Sequence, residues 1–432
     1  MNNEQVKQKI DFHQQDIIAR FKKVREVSEW QCEPLIIEDY GLQAMPETSP
    51  AKWHLAHTSW FFETFLLKPY LKNYQSLNNQ YEFLFNSYYN GVGKQYPRPQ
   101  RGLLSRPSVE EIYHYREYVN KYMYELLSSE VLCNEELINK VILGCHHEQQ
   151  HQELFFTDLK YSWFHNPLYP VYKSRNTLVD NSTPKETEKW YELTEGLYDI
   201  GFQIHENDTT LNQFCFDNEL PRHKYYMHDV SLSHNLVTNA QYLSFIEDDA
   251  YHRSNLWLSD AWALIKDSKK QHAPLYWVKQ DQQWFEYTLQ GLQPLNLNQP
   301  VSHISAYEAD AFARWVGCRL PTEFEWEVFA IQQSQTDGQF LESEQFHPTQ
   351  EDDNAKVEMG KLWQWTSSAY SPYPGFKTAE GAIGEYNGKF MCNQLVLRGG
   401  SCVTSENHYR DSYRNFFYPQ DQWQFSGLRL AK

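Results

Sequence analysis

Along the first 165 residues, apolar positions recur at helical spacing. Val6, Ile10, Ile17, Phe21 and Val24 mark one face of a predicted helix over residues 4–28. Ser49 before Pro50 reads as an N-cap with proline in the first turn, opening KWHLAHTSWFFETFLL. Ser108 and Glu111 form a capping-box pattern ahead of VEEIYHYREYVNKYMYELL. Asn134 is placed to cap EELINKVILGCHHEQQHQELFFTDLKYSW. Four long helices with polar connections predict an antiparallel bundle. Residues 166–190, rich in Pro, Asn, Ser and Thr and without a period, read as a linker. Beyond them, short apolar segments alternate with Gly, Asn, Asp and Pro turns, and helices are expected at NAQYLSFIEDD and SAYEADAFARWVG. Residues 333–357, rich in Gln, Ser, Asp and Glu, read as a surface loop or insertion. The fold class is α+β in two domains, a helical one over 1–165 and a mixed α/β one over 191–432.

Composition agrees with two cores. A chain of 432 residues exceeds what one hydrophobic core serves, and 14 Trp, 30 Tyr and 25 Phe supply ample apolar surface. The net charge of −17 disfavours phosphate backbones, so no nucleic-acid partner is expected. The seven cysteines are odd in number, dispersed and without a CxxC pair, which fits reduced thiols. The first residues lack an apolar signal core and no apolar run reaches membrane-spanning length. The expectation is a cytoplasmic protein without membrane contact; the oligomeric state is open, a homo-oligomer included.

The sharpest local pattern is His147-Glu-Gln-Gln-His151. Residues four apart share one helix face, so two imidazoles can meet one metal ion. Gly144, Leu154 and Asp158 lie on the same stripe. The spacing also fits the HExxH pattern of zinc hydrolases, and a solvated Gln- and Glu-rich face would show the same letters. For a third ligand, His57 sits in a stripe with Trp53, Trp60 and Thr64, and His54 is its rival three residues earlier. A histidine in so aromatic a helix has to be hydrogen-bonded or ligated. His146 points about 100° away from His147 and reads as structural. Three imidazoles leave one open position on zinc or three on iron(II), and spacing does not choose.

SPAKWHLAHTSWFFETF followed by HHEQQHQEL resembles the DinB-like iron-binding domain of the ergothioneine biosynthesis protein B family of sulfoxide synthases. VTNAQYLSF, SHISAYEADAFARWVG, RLPTEFEWE, LWQWTSSAY, LRGGSC and FSGLRLA resemble a formylglycine-generating-enzyme-type domain, a variant of the C-type lectin fold. Formylglycine enzymes carry a copper-binding cysteine pair after the GGS turn; here Thr404 and Tyr409 stand there and Cys402 is a lone thiol, which argues against formylglycine chemistry.

The resemblance implies Fe(2+) on His57, His147 and His151. It implies that Gln150 contacts a histidine-derived substrate, and that Asn415, Phe416 and Phe417 bind a trimethylammonium group, for which aromatic faces suit. FNSYYNGVGKQYPRPQRGLLSRPS resembles the subgroup that takes free cysteine, with Tyr88 and Tyr89 facing the iron and Arg98 and Arg101 on the cysteine carboxylate; Arg106 is a weaker third candidate. The implied substrates are hercynine, L-cysteine and O2. Alternatives are a synthase using γ-glutamylcysteine, histidine or a selenosugar, a zinc-dependent DinB-type thiol transferase or hydrolase, and a non-enzymatic lectin-like binder with structural histidines.

Overall fold

The computed structural model describes residues 3–129, 134–174, 189–204, 213–267, 272–333, 338–350 and 357–432. They divide into two compact units. The first comprises the described residues of 1–165, 204–214 and 379–386, and the second comprises those of 166–203, 215–378 and 387–432. Of the expected linker, residues 175–188 lie outside the described residues.

The first unit is built on α1 (Asn3–Trp30) and α2 (Ala51–Phe62), the latter continued by a π-helical turn at Glu63–Leu67 and α3 (Lys68–Tyr70). The short α4 (Tyr81–Phe85) leads to the long α5 (Val109–Leu127) and α6 (Glu135–Phe164). α1 packs on α6, and α2 packs on both α5 and α6. α2 has no solvent face, since all but one of its residues are buried, so it forms the centre of the unit. Gly144 on α6 permits this approach: a Cβ there would stand 2.6 Å from the Phe62 ring.

Two predicted caps form. Ser108 Oγ accepts the Glu111 N–H at 3.2 Å, and Asn134 Oδ1 accepts the Glu136 N–H at 2.9 Å. The cap expected at Ser49 does not form, because α2 starts from Pro50 without a side-chain cap. Ser49 is diverted by tertiary partners: its N–H donates to Asp158 Oδ2 (2.8 Å) and its hydroxyl accepts from Arg101 (2.9 Å).

The second unit is a set of small sheets. β1 (Trp190–Leu193) pairs antiparallel with β4 (Val230–Ser233), and β2 (Gly196–Ile200) with β3 (His223–Met227). β5 (Trp277–Gln280), β6 (Gln283–Thr288) and β7 (Gly291–Pro294) form a meander. β8 (Trp363–Ala369), β9 (Leu395–Arg398), β10 (Asn415–Phe417) and β11 (Ser426–Gly427) form a mixed sheet in the order β10-β9-β8-β11, with β11 parallel to β8. Its helices are α7 (Asn239–Glu247), α8 (Ser259–Asp267), α9 (Ala306–Trp315) and α10 (Glu323–Gln333). α10 packs Trp326 and Phe329 into a core with Leu193, Ile200, Met227 and Phe340. Its Glu323 grips Arg414 through two bonds of 2.8 and 2.9 Å, and Glu327 pairs with Arg398, all four side chains buried.

The surface loop expected at 333–357 is corrected in its described part. Phe340, Leu341 and Phe346 are buried there, because apolar anchors set among polar residues pin the segment to the core. Among the described residues, no helix is long and apolar enough to cross a membrane.

Candidate metal centre

α2 and α6 bring three imidazoles together. Ligand nitrogens of His57, His147 and His151 all lie within 4.8 Å of one another, with His57 and His147 buried and His151 half-buried. His57 Nε2 and His147 Nε2 face each other at 3.2 Å. Two nitrogens ~2.1 Å from one ion at right angles would stand ~3 Å apart, so this edge already has the length a shared ion needs.

The ring orientations follow from neighbours. His57 donates Nδ1–H to the Phe85 carbonyl at 2.6 Å, which leaves its Nε2 as a bare lone pair. His57 also lies sandwiched between Trp53 (4.6 Å, 12°) and Trp60 (5.3 Å, 16°), and His147 stacks on Phe61 (4.4 Å). Burial pushes His147 down to about 3. His57 and His151 are driven well below the ordinary imidazole range by burial, then by the neighbouring histidines and Arg101. All three are therefore neutral near pH 7, the form that ligates metal. The donor set and its bare Nε2 fit a divalent transition metal.

His54 stands behind the triad. Its ring contacts His151 Nδ1 at 2.9 Å and Asp158 Oδ2 at 3.1 Å. His146 turns away from the site, accepting from Arg20 at 2.6 Å and stacking on Phe214.

Glu148, the position a zinc hydrolase would use as base, is fully engaged elsewhere. It pairs with Arg25 (2.9 Å) and Arg116 (3.1 Å) and accepts from Ser28 (2.7 Å), with no exposed surface. Burial alone would raise its pKa, but the two guanidinium groups outweigh it and hold the carboxyl below its usual range.

Arg101 is almost completely buried, with its guanidinium 3.4 Å over Trp53. Its hydrogen-bond partners are the neutral hydroxyls of Ser49 and Ser87, and its Nε has no partner among the described residues. Burial, then the charge of Arg98, pushes its pKa well down, so an anion placed against it gains strongly. Arg98 is exposed and donates to the Glu47 carbonyl. Arg106 is also exposed and bonds the Ser105 carbonyl (3.0 Å). Tyr88 and Tyr89 stack at 4.8 Å, and Tyr89 is fully buried against Trp60 and Phe65. Burial raises the pKa of both, so both phenols keep their protons at neutral pH.

One part of the first unit comes from far along the chain. Glu385 accepts backbone N–H groups from Asn90 (3.0 Å) and Gly91 (2.6 Å), just after the tyrosine pair. Tyr386 then bonds Gln150 and lies 5.7 Å from the His147 ring. No sequence signal pointed to Glu385 or Tyr386 as partners of the site, whereas His54 stood there as the rival third ligand and Asp158 was visible on the α6 stripe.

Asn415, Phe416 and Phe417 belong to the second unit, on edge strand β10. Phe416 stacks on Tyr370 (4.1 Å, 10°), and Phe417 meets Trp423 edge-on at 5.6 Å. Beyond the GGS turn, Cys402 is buried, Thr404 Oγ1 accepts the Ser401 N–H (2.8 Å) and Tyr409 donates to Asp411 (2.6 Å), so these positions serve local structure.

The sulfatase-modifying factor enzyme 1-like domain family matches residues 179–358 and 357–432. A hercynine oxygenase of Mycolicibacterium thermoresistibile is 29% identical over 252 residues, 50% of this chain and 54% of that protein. Ergothioneine biosynthesis protein 1 of Schizosaccharomyces pombe is 27% identical over 261 residues, 57% of this chain and 31% of that protein. A formylglycine-generating enzyme of Streptomyces coelicolor is 28% identical over 169 residues, 31% of this chain and 52% of that protein. The chain thus spans about half the length, or less, of the curated relatives it matches. From this match the chain belongs to the sulfatase-modifying factor enzyme 1-like family, and hercynine oxygenases are among its relatives.

Proposed function

We propose that this protein is an O2-dependent sulfoxide synthase that joins the sulfur of L-cysteine to the imidazole of hercynine. The helical unit would be DinB-like and would hold Fe(2+) on His57, His147 and His151. The observation that carries this reading is the set of three neutral imidazoles facing one point in a chain related to hercynine oxygenases. The overall change balances: a C–H, a thiol S–H and O2 give a C–S(=O) linkage and water, with four electrons passing to oxygen.

When bound, iron supplies the activation of O2 and lowers the thiol pKa so that sulfur enters as thiolate. The remaining work falls to the chain's own residues. Arg101 would hold the cysteine carboxylate, since among the described residues its buried guanidinium has only hydroxyls as side-chain hydrogen-bond partners; Arg98 would act from the exposed side. Gln150 would orient the imidazole of hercynine. Tyr88 and Tyr89 hold protons at neutral pH and are the donors available to reduced oxygen. Trp53, Trp60 and Phe61 wall the triad and exclude water.

A hydrolytic zinc reading lacks its base, because Glu148 is locked by Arg25, Arg116 and Ser28. The deciding experiment loads the protein with Fe(II) without air, adds hercynine with cysteine and γ-glutamylcysteine together, and then admits air. Mass spectrometry should find the cysteine-derived sulfoxide after air and none before. Product without O2, or turnover with zinc alone, sinks the proposal; the γ-glutamyl product alone sinks the choice of thiol.

A further inference from the structure

We propose that His54 and Asp158 are positioning residues for the metal centre: they fix His151 in its ligating tautomer and make it the strongest donor of the triad. This rests on the metal reading above.

The bonds run in a line. His151 Nδ1 lies 2.9 Å from His54 Nδ1, and His54 Nε2 lies 3.1 Å from Asp158 Oδ2. The Ser49 N–H donates to the same carboxylate oxygen at 2.8 Å and holds it in place. Proton counting leaves one direction open. With Nδ1 occupied, His151 can offer only Nε2 to an ion, so its proton must sit on Nδ1. His54 Nδ1 then has to accept, which puts the His54 proton on Nε2, aimed at Asp158. The reverse arrangement places a proton on His151 Nε2 and removes a ligand.

The three imidazoles are backed unequally. His151 is backed by a buried carboxylate through His54, whereas His57 is backed by the neutral carbonyl of Phe85. His147 Nδ1 has no hydrogen-bond partner among the described residues. Backing by a carboxylate raises the basicity of a histidine ligand, so donor strength should fall in the order His151, His57, His147.

The test is anaerobic competition for Fe(II) against a chromogenic chelator, with the Co(II) absorption spectrum as a second readout. His54→Phe should weaken Fe(II) binding by about 10–100-fold. In His54→Gln the carboxamide can accept from His151 and donate to Asp158, so affinity should stay within about threefold of wild type. Asp158→Asn should weaken binding roughly tenfold and shift the Co(II) bands. Folded His54→Phe with wild-type affinity overturns the proposal, as does a His54→Gln that falls as far as His54→Phe. If His54→Phe does not fold, Asp158→Asn decides: unchanged affinity and spectrum overturn it. Wild-type protein that binds neither ion overturns the metal reading itself.

Discussion

Helix α6 carries His147 and Glu148 side by side, and the two end in opposite circumstances. Glu148 and Gln152 face α1 and α5, where every strong partner is supplied: Arg25, Arg116 and Ser28 for the carboxylate, Ser28 and the Val24 carbonyl for the amide. His147 and His151 face α2, where imidazole nitrogens look at one another. Both faces are buried and polar. The difference teaches that burial of polar groups does not mark a site; incompleteness does. A closed network holds helices together, and an open one waits for something to close it.

The largest expected effect comes from removing a member of the open face. His147→Ala should abolish Fe(II) retention and lower turnover by ~10³-fold or more in protein that still folds; retained metal would make the imidazoles structural. On the closed face, Glu148→Leu leaves the buried Arg25 guanidinium without a carboxylate and Arg116 with Glu29 alone, and should cost about 3–5 kcal/mol of stability by urea titration. An unfolding midpoint equal to wild type would remove the contrast between the faces. Arg101→Met should raise KM for the thiol roughly 10–100-fold with a smaller change in kcat. An unchanged KM would place the carboxylate elsewhere.

Acid should separate the two faces next. The triad's pKa values are lowered on folding, so in metal-free protein the unfolded chain binds more protons below pH ~6.5. Stability then falls with pH across the window from ~6.5 down to about 3 for His147, by up to ~1.4 kcal/mol per pH unit for each histidine. Glu148 is also lowered, so its contribution is present above pH ~4.3 and lost only as pH falls further. Chelated wild type should therefore show a slope between pH 6.5 and 4.5 that His147→Leu reduces and Glu148→Gln leaves unchanged. The smallest effect is Ser28→Ala, about 1–2 kcal/mol from the bonds to Glu148 and Gln152, with metal affinity unmoved.

What could be read in the sequence was what neighbours in the chain decide. The caps at Ser108 and Asn134 need only residues two or three positions on, and both form. Ser49 failed as a cap because Asp158, 109 residues away, claims its N–H and Arg101 its hydroxyl. Residues 338–350 looked like surface because their polar majority hides Phe340, Leu341 and Phe346. Likewise α10 was missed, because its pattern is broken by Glu323 and Glu327, which are buried against arginines from distant strands and loops. In the candidate centre, the His147–His151 spacing was legible from helix geometry. Preference for His57 over His54 came from resemblance, and its physical counterpart is a division of labour: Phe85 orients one ring, and Asp158 draws the other into a supporting role.

The Glu385 clasp has a consequence for how the molecule is made. Glu385 is 295 residues beyond Asn90, whose amide it caps. At roughly 5–20 residues per second, a ribosome needs about 15–60 s to deliver it after Asn90 has been polymerised. Once residue 164 has been added the helices of the first unit are all synthesised, yet until Glu385 and Tyr386 follow the turn after Tyr89 lacks its acceptor and Gln150 lacks Tyr386. The helical part is thus encoded early but finished late, and a ribosome stalled after α6 is made but before codon 385 holds a chain whose histidines are present and whose enclosure is not.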